Sequence, residues 1–504
     1  MSGVPDVRLL KPKTSASHAP LPILRRLETD TELNSSYVFR KNGNEETITK
    51  KLTLVQRSFV PTAKPSCYPV YEDLGTHLAV PRVFGLLQFG PPTVDNRTAG
   101  RALLLPQELF RTSLVLKDWQ ATVVTHVVDC LRTPPLHAAM LSAACGLGKT
   151  CMAIAIACAL RVKTAVLVHK EFLLTQWTDR IHAFCPEIDV GRVQGDTFEV
   201  GTITIVMIQT ITTGKFASAT AFDMFDLVIV DECHHIAAAT FSKSIRLFRA
   251  RYTMGLSATL KRADGNEEAI FWMLGYPVAV CTRPVDASEA SGLTIRMLYM
   301  NDTHVEDSFT KSGTFGGNTI AFPKMLTQLL QKPVRIERLS AEIHRAYAEG
   351  RDILVISERI DYLDRLAAKL SELGLASAKY VGETSKRKRE QRDKDAAEVR
   401  ILLTTRAMAS EGFDRASIDT VVLATPLKRG ATLEQSIGRC QRQGAQGASV
   451  RSRLVVDVCD LKTSVFASMA RGRESYYQTA GFCLERVRCD ENSSQPELQK
   501  FATK

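Results

Sequence analysis

The sequence predicts an α/β fold of two tandem lobes, each a parallel sheet flanked by helices, behind an N-terminal accessory region. Short apolar runs alternate with helical periodicity from Leu116 onward, the pattern of strands buried on both faces. The alternation pauses and then resumes after Glu349, so the same architecture is expected twice. A chain of 504 residues accommodates about three domains at roughly 100–200 residues each.

Residues 1–105 are assigned to the accessory region. Its first 35 residues are rich in Pro and Ser and are expected to be loosely ordered. From Tyr37 to Val60, two alternating stretches flank Asn42-Gly43 and predict a hairpin, and Pro91-Pro92 with the polar run to Gly100 reads as a linker. The region is expected to recognise DNA structure, bind a partner or brace the first lobe.

The first lobe, 106–285, is expected to place strands at Ala138–Ala143, Ala165–His169, Ile203–Ile208, Leu227–Val230 and Tyr252–Leu256. Residues 286–340, with a Gly/Ser/Thr-rich patch at Ser312–Thr319, read as a linker or insertion. The second lobe, 341–485, repeats the pattern at Ile353–Ile356, Ala378–Val381, Ile401–Thr404, Val421–Ala424 and Leu454–Val458, and 486–504 reads as a tail. Ligands in such folds sit at the carboxyl ends of the strands.

Composition narrows the class. Lys and Arg total 65 against 54 Asp and Glu, a net charge of +11, which suits a polyanion partner. Twelve cysteines are scattered from Cys67 to Cys489 without a C-x-x-C pair, which predicts reduced thiols and no zinc site. The longest apolar stretch, Cys151 to His169, is interrupted by Arg161 and Lys163, so no membrane span is expected. The first 30 residues lack an apolar signal core. The expectation is a soluble protein of a reducing intracellular compartment, the cytoplasm or nucleus of a host, or a virion.

Three motifs carry chemistry. In Ala143-Ala144-Cys145-Gly146-Leu147-Gly148-Lys149-Thr150, a strand runs into a helix through a Gly-rich turn. The glycines let backbone N–H groups and the helix N-terminus point at phosphates. Lys149 would reach the β- and γ-phosphates, and the Thr150 hydroxyl would bind Mg²⁺. The general pattern wants Gly where Ala143 stands.

Asp231-Glu232-Cys233-His234 ends an apolar strand, so Asp231 is expected to hold Mg²⁺ and Glu232 to polarise an attacking water. His234 would link that site to the rest of the lobe. In the second lobe, Gln435, Arg439 and Arg442 are spaced by four and then three on an expected helix, one face of which would stabilise charge on transferring phosphates.

With these motifs in order, the sequence resembles a superfamily 2 helicase of the DEAH/DECH type. That family writes its phosphate loop A-x-x-G-x-G-K-[ST], so Ala143 becomes a match. Ser257-Ala258-Thr259 matches its S-A-T motif, Gln435, Gly438, Arg439 and Arg442 match Q-x-x-G-R-x-x-R, and Thr405 to Asp414 resembles its fifth box. Val168 to Trp177, Gly255 to Gly265 and Pro81 to Gly85 are similar to the XPB-like branch, especially helicases of large DNA viruses.

The resemblance implies two RecA-like lobes, ATP and Mg²⁺ as cofactors, and nucleic acid as partner, DNA ahead of RNA. It implies Gln120 as the adenine contact and Ala144, Cys145, Gly146, Leu147, Gly148, Lys149, Thr150, Asp231, Gly412 and Asp414 as the nucleotide site. Lys149, Glu232, Gln435, Arg439 and Arg442 would be catalytic, with Arg442 the finger, and His234, Ser257 and Thr259 would couple hydrolysis to the strand.

Gln176, Arg180, Gln209, Thr210, Ser357, Arg359, Thr404 and Thr405 are the strand-binding candidates, touching phosphates and sugars without reading bases. The activity implied is ATP-driven strand movement or unwinding, with replication or transcription machinery as further partners. The alternatives are a double-strand translocase, a transcript-release ATPase, a small-molecule P-loop enzyme and an inactive binding scaffold. Lys386 to Arg389 is expected on a solvated helix face, and Leu363, Leu366, Ala367 and Leu370 on a core face.

Overall fold

In the computed structural model, the described residues are 5–13, 31–43, 45–56, 66–97, 104–144, 146–216, 220–235, 238–258, 265–282, 292–301, 303–306, 309–312, 317–382, 386–411, 415, 417–428, 430–438, 452–489 and 497–499. They form two compact units, one within 4–283 and one within 284–504.

The first unit is built on a nine-stranded sheet in the order Asp6–Leu9, Pro277–Thr282, Ala138–Ala143, Tyr252–Ser257, Leu227–Val230, Thr164–Val168, Ile203–Met207, Val190–Gln194, Thr197–Glu199. All neighbouring pairs are parallel except the two at the edges. The five expected strands are its middle, and every residue of Ala138–Ala143, Thr164–Val168, Ile203–Met207 and Leu227–Val230 is buried. Fully burying one such aliphatic side chain contributes about 1.5–3 kcal/mol, so these strands fix the lobe.

The N-terminal region is not a separate body. Its five-stranded sheet runs Glu72–Asp73, His77–Val80, Tyr37–Arg40, Thr31–Leu33, Val94–Asp95. The helix Arg82–Phe89 is buried along its whole length, and its core is continuous with that of the first lobe. Phe84 stacks edge-on against Trp272 at 5.6 Å, and Gly85 lies so close to the Tyr37 ring that a β-carbon there would stand 2.3 Å away. Arg82 Nη1 donates to the Ala250 carbonyl at 2.7 Å, and Arg246 Nη2 to the Val70 carbonyl at 2.6 Å. Of the three roles expected for this region, bracing the first lobe is visible.

Several sequence expectations are corrected. Asn42-Gly43 does not turn a hairpin: Tyr37–Arg40 pairs with His77–Val80, and Glu45–Lys51 is a helix whose Glu45 carboxylate accepts from the Asn42 and Gly43 N–H groups. Within the first 35 residues, Asp6–Leu9 is an edge strand and Thr31–Leu33 pairs twice. After Pro91-Pro92, Val94–Asp95 joins the small sheet, and Arg97 donates to the Leu136 and Pro135 carbonyls.

The second unit holds an eight-stranded sheet in the order Ser377–Tyr380, Ile401–Thr405, Ile353–Ser357, Thr420–Leu423, Arg453–Asp460, Leu293–Met300, Cys483–Cys489, Glu497–Gln499. Only the last pair is antiparallel. The stretch 286–340 is therefore more than a linker. Leu293–Met300 lies inside the sheet, parallel to both neighbours, and Phe322–Leu330 supplies core residues.

The expected tail at 486–504 likewise begins inside the strand Cys483–Cys489. The expected core stripe holds, with Leu363, Leu366 and Leu370 fully buried and Ala367 packed beside them. Lys386 to Arg389 opens the helix Lys386–Glu398, while Arg392 lies over the Tyr380 ring at 4.1 Å. Among the described residues no helix is long and apolar enough to cross a membrane.

His137 leads into the strand Ala138–Ala143, buried, with Nδ1 2.8 Å from the Leu131 carbonyl. Burial, helped by Arg97 and Arg251 and opposed by the Leu131 carbonyl and Asp95, pushes its pKa down to about 4. The unfolded chain takes up that proton near pH 6.5, so its contribution is intact above that value and is lost as pH falls toward 4. The loss is at most about 3 kcal/mol by linkage. His137→Asn should flatten this acid limb, measured as urea midpoints at pH 7 and 5.

Candidate functional site

Four parallel strands deliver the site at their carboxyl ends. Ala138–Ala143 runs into the phosphate loop, and the loop into the helix Lys149–Leu160. Gly146 and Gly148 have φ of 81° and 82°, the left-handed region where a side chain is strained, so the turn depends on glycine. Ala144 N donates to the Cys281 carbonyl at 3.0 Å and Leu147 N to the Ala144 carbonyl at 3.2 Å, which pins the loop to the neighbouring strand.

Gln120, on the helix Asp118–Arg132, reaches this loop. Its Nε2 donates to the Leu147 carbonyl at 3.0 Å, and its Oε1 accepts from Lys117 N at 3.0 Å. One Nε2 hydrogen and one Oε1 lone pair remain for a further partner. A β-carbon on Gly148 would stand 2.6 Å from that amide.

Lys149 Nζ donates to the Ala143 carbonyl at 3.0 Å and lies 3.6 Å from Glu232 Oε1. Thr150 is buried beside it on the same helix. Asp231 follows Leu227–Val230, its N–H donating to the Leu167 carbonyl of the adjacent strand at 3.0 Å. The residue is 4% exposed, its carboxylate accepting from Trp177 Nε1 at 2.8 Å and from Glu232 N at 2.9 Å. Burial, and next the charge of Glu232, push its pKa up to about 6.

Glu232 has a φ of 46°, a conformation that costs a non-glycine residue about 1–3 kcal/mol and concentrates at functional sites. His234 Nδ1 lies 2.9 Å from Ser257 Oγ and 3.4 Å from Glu232 Oε2, so one imidazole touches both groups.

The structure thus brings together Gln120, Ala144, Gly146, Leu147, Gly148, Lys149, Thr150, Asp231, Glu232, His234 and Ser257. Cys145, Thr259, Gly412, Asp414, Arg439 and Arg442 lie outside the described residues; Gln435 is on the helix Ala431–Ile437. Sequence reasoning gave Trp177 no role. Nothing in a buried aromatic on the helix Glu171–Phe184 says that its indole faces a carboxylate 54 positions ahead.

A cation fits the site. Thr150 and Asp231 offer hard oxygen donors, and a positive charge would relieve a carboxylate otherwise held by two N–H donors. Among the described residues no three His, Cys, Asp or Glu side chains could hold a metal ion together, so a cation here would share its coordination with phosphate oxygens and water.

The strand-binding candidates divide. Gln176 and Arg180 lie half-buried on Glu171–Phe184, while Gln209 Nε2 donates to the His169 carbonyl at 2.6 Å and Thr210 Oγ1 accepts from Gly195 N. Arg359 is half-buried, with Nη2 3.5 Å from the Pro323 carbonyl. Ser357 and Thr405 are register partners at neighbouring strand ends. Ser357 and Thr404 are fully buried, their hydroxyls bonded to Arg359 and to the Tyr380 carbonyl, so in this conformation they shape the strand ends and offer no contact.

Known proteins match along most of the chain. A family described as the res subunit of type III restriction enzymes matches residues 113–262, and the helicase conserved C-terminal domain matches 334–444. A protein of Acanthamoeba polyphaga mimivirus that bears the name of an ATP-dependent RNA helicase is 26% identical over 471 residues, 91% of this chain and 87% of its own. The DNA 3'-5' translocase XPB2 of Sulfurisphaera tokodaii is 30% identical over 176 residues, 35% of this chain and 36% of its own. S. cerevisiae Dbp5 bound to RNA and ADP BeF3 superposes with a TM-score of 0.52 at 14% identity, covering 74% of this chain and 89% of that one, a likeness of fold.

Two substitutions test the site. Trp177→Phe removes the indole N–H together with part of the ring and should weaken Mg²⁺-dependent nucleotide binding about 10-fold, as loss of an outer partner of a metal ligand does. Labelled-ADP titration with and without Mg²⁺ measures it, and unchanged affinity counts against the role. Gly148→Ala combines a forbidden φ with the contact to Gln120 and should abolish nucleotide binding in the same titration while thermal unfolding still shows a folded protein.

Proposed function

The chain belongs to the superfamily 2 helicases, and from that premise we propose a Mg²⁺-ATP-driven motor that moves along nucleic acid, DNA in preference to RNA. The observation that carries the reading is the convergence of Lys149, Asp231 and Glu232 on the phosphate loop, with Lys149 Nζ 3.6 Å from Glu232 Oε1.

Each residue has a task in that reading. The loop N–H groups and the N-terminus of Lys149–Leu160 take the phosphates, and Lys149 exchanges the Ala143 carbonyl for phosphate oxygen. Thr150 and Asp231 would hold Mg²⁺, which when bound neutralises charge developing on the phosphate oxygens. Glu232 orients the attacking water and draws its proton.

His234 touches both Glu232 and Ser257, so a change at the carboxylate reaches the end of Tyr252–Ser257 and the segment leading to Thr259. Gln120 reads the adenine edge. Gln435, Arg439, Arg442, Gly412 and Asp414 keep their assigned roles toward the nucleotide, Arg442 as the finger. Gln176, Arg180, Gln209, Thr210, Arg359 and Thr405 are assigned to the strand backbone, with Ser357 and Thr404 supporting them. The preference for DNA follows the XPB-like segments, one relative of which is named a DNA translocase.

The test is ATP hydrolysis without polynucleotide, then with single-stranded DNA, double-stranded DNA and RNA, at low salt because phosphate contacts weaken steeply as salt rises. Stimulation by DNA above RNA is the expected result. Preference for duplex would mark a double-strand translocase, and equal rates in all four conditions would sink the motor reading. Glu232→Gln should retain ATP binding and lose at least about 100-fold in turnover, the lower range for a general base.

A further inference from the structure

We propose that two buried arginine–aspartate pairs, Arg335–Asp460 and Arg473–Asp457, form a clamp that fixes the segment Ala424–Leu427 and thereby the helix Ala431–Ile437, which precedes the arginine box in sequence. This rests on the hydrolysis reading above, in which Arg439 and Arg442 serve the nucleotide. The two arginines act as positioning residues.

Both carboxylates come from one strand, Arg453–Asp460, and all four charged side chains are about 1% exposed or less. Arg335, on the helix Pro333–Ala348, sets Nη2 3.0 Å from Asp460 Oδ2 and donates from the same nitrogen to the Ala424 carbonyl at 2.9 Å. Thr303 Oγ1 donates to Asp460 Oδ1 at 2.8 Å. Arg473, on the helix Ser464–Thr479, grips Asp457 with Nε at 2.8 Å and Nη2 at 2.9 Å, and its Nη1 donates to the Leu427 carbonyl at 2.5 Å. Tyr477 donates to the same Asp457 at 2.9 Å.

The clamped segment has just left the strand Thr420–Leu423, with Ala424 N still donating to the Ile356 carbonyl of the neighbouring strand at 2.9 Å. It is held at both ends by guanidinium groups and between them by Glu358 N donating to Thr425 Oγ1 at 3.2 Å. Leu427, Leu433 and Ile437 then share one core cluster with Tyr477, so what fixes Leu427 also fixes the helix that follows.

Stability alone is a poor reason for this design, because well-packed apolar side chains often replace a buried ion pair without loss. What apolar groups do not supply is direction. Each guanidinium joins a carboxylate to a backbone carbonyl, Arg473 from separate nitrogens and Arg335 through Nη2 alone, so each Arg–Asp pair converts a position on a rigid strand into a position on an irregular segment.

The test is the double substitution Arg473→Gln with Asp457→Asn. It removes both charges together, leaves an acceptor for Tyr477 and takes away the donor to Leu427. The expected result is a fall in kcat for ATP of at least about 10-fold, a KM for ATP within about 2-fold, and unchanged labelled-ADP binding. Leu366→Ala, in the other core cluster of the same lobe, is the control for lost stability and should lower the thermal midpoint with kcat retained.

A double variant with parent kcat, or one losing no more than Leu366→Ala at a matched midpoint, overturns the clamp. If the double variant does not fold, Arg473→Lys decides. A kcat reduced about 3-fold or more at constant KM supports the clamp, and a parent-like kcat overturns it. Glu232→Gln runs alongside: retained turnover there overturns the hydrolysis reading and the clamp's purpose with it, whereas lost turnover with a normal double variant overturns the clamp alone.

Discussion

A carboxylate that must carry charge while almost out of water organises the first lobe. Asp231 has that problem because it caps a strand every residue of which is buried, and the sheet that creates the position also excludes the solvent that would stabilise the charge. The neighbourhood answers with the Trp177 indole and the Glu232 N–H as donors and Lys149 within reach of the adjacent carboxylate. Glu232, whose N–H makes one of these bonds, itself sits in the left-handed region.

The second lobe meets the same difficulty with another solution. Its strand Arg453–Asp460 also carries buried carboxylates, and there the compensating charge is covalent to the chain, in Arg335 and Arg473. In the first lobe both oxygens of Asp231 accept N–H donors, while in the second lobe Asp457 accepts from Arg473 and Tyr477 and Asp460 faces Arg335 at 3.0 Å, so that these aspartates serve as fixed points.

Legibility in the sequence followed burial. The ten expected strands are all present because most are runs of buried apolar residues in a doubly covered sheet, a signal that survives without an alignment; the edge strand Ser377–Tyr380, with Lys379 exposed, is the exception. Leu293–Met300 escaped because Arg296 interrupts its pattern. That guanidinium is paired with Glu342 at 2.7 Å and Glu485 at 2.8 Å, partners 46 and 189 positions away that no local window contains. The nucleotide motifs were legible because phosphate chemistry fixes their residues at close spacing. Trp177 was not, since its role depends on a helix meeting another strand's end, and Ser357 and Thr404 had the right chemistry at strand ends while the fold turned both hydroxyls inward.

The strand orders carry a consequence for how the chain is made. Asp6–Leu9 finds its partner only in Pro277–Thr282, and Leu293–Met300 is covered on one side only by Cys483–Cys489. On a ribosome, the first lobe therefore keeps its outer strand waiting for most of its own synthesis. The second lobe has an open edge beside Leu293–Met300 until Cys483–Cys489 emerges. Its earlier strands spend that interval as a half-finished surface able to pair with another nascent chain, so Cys483–Cys489 works as a closing seam as well as an element of the fold.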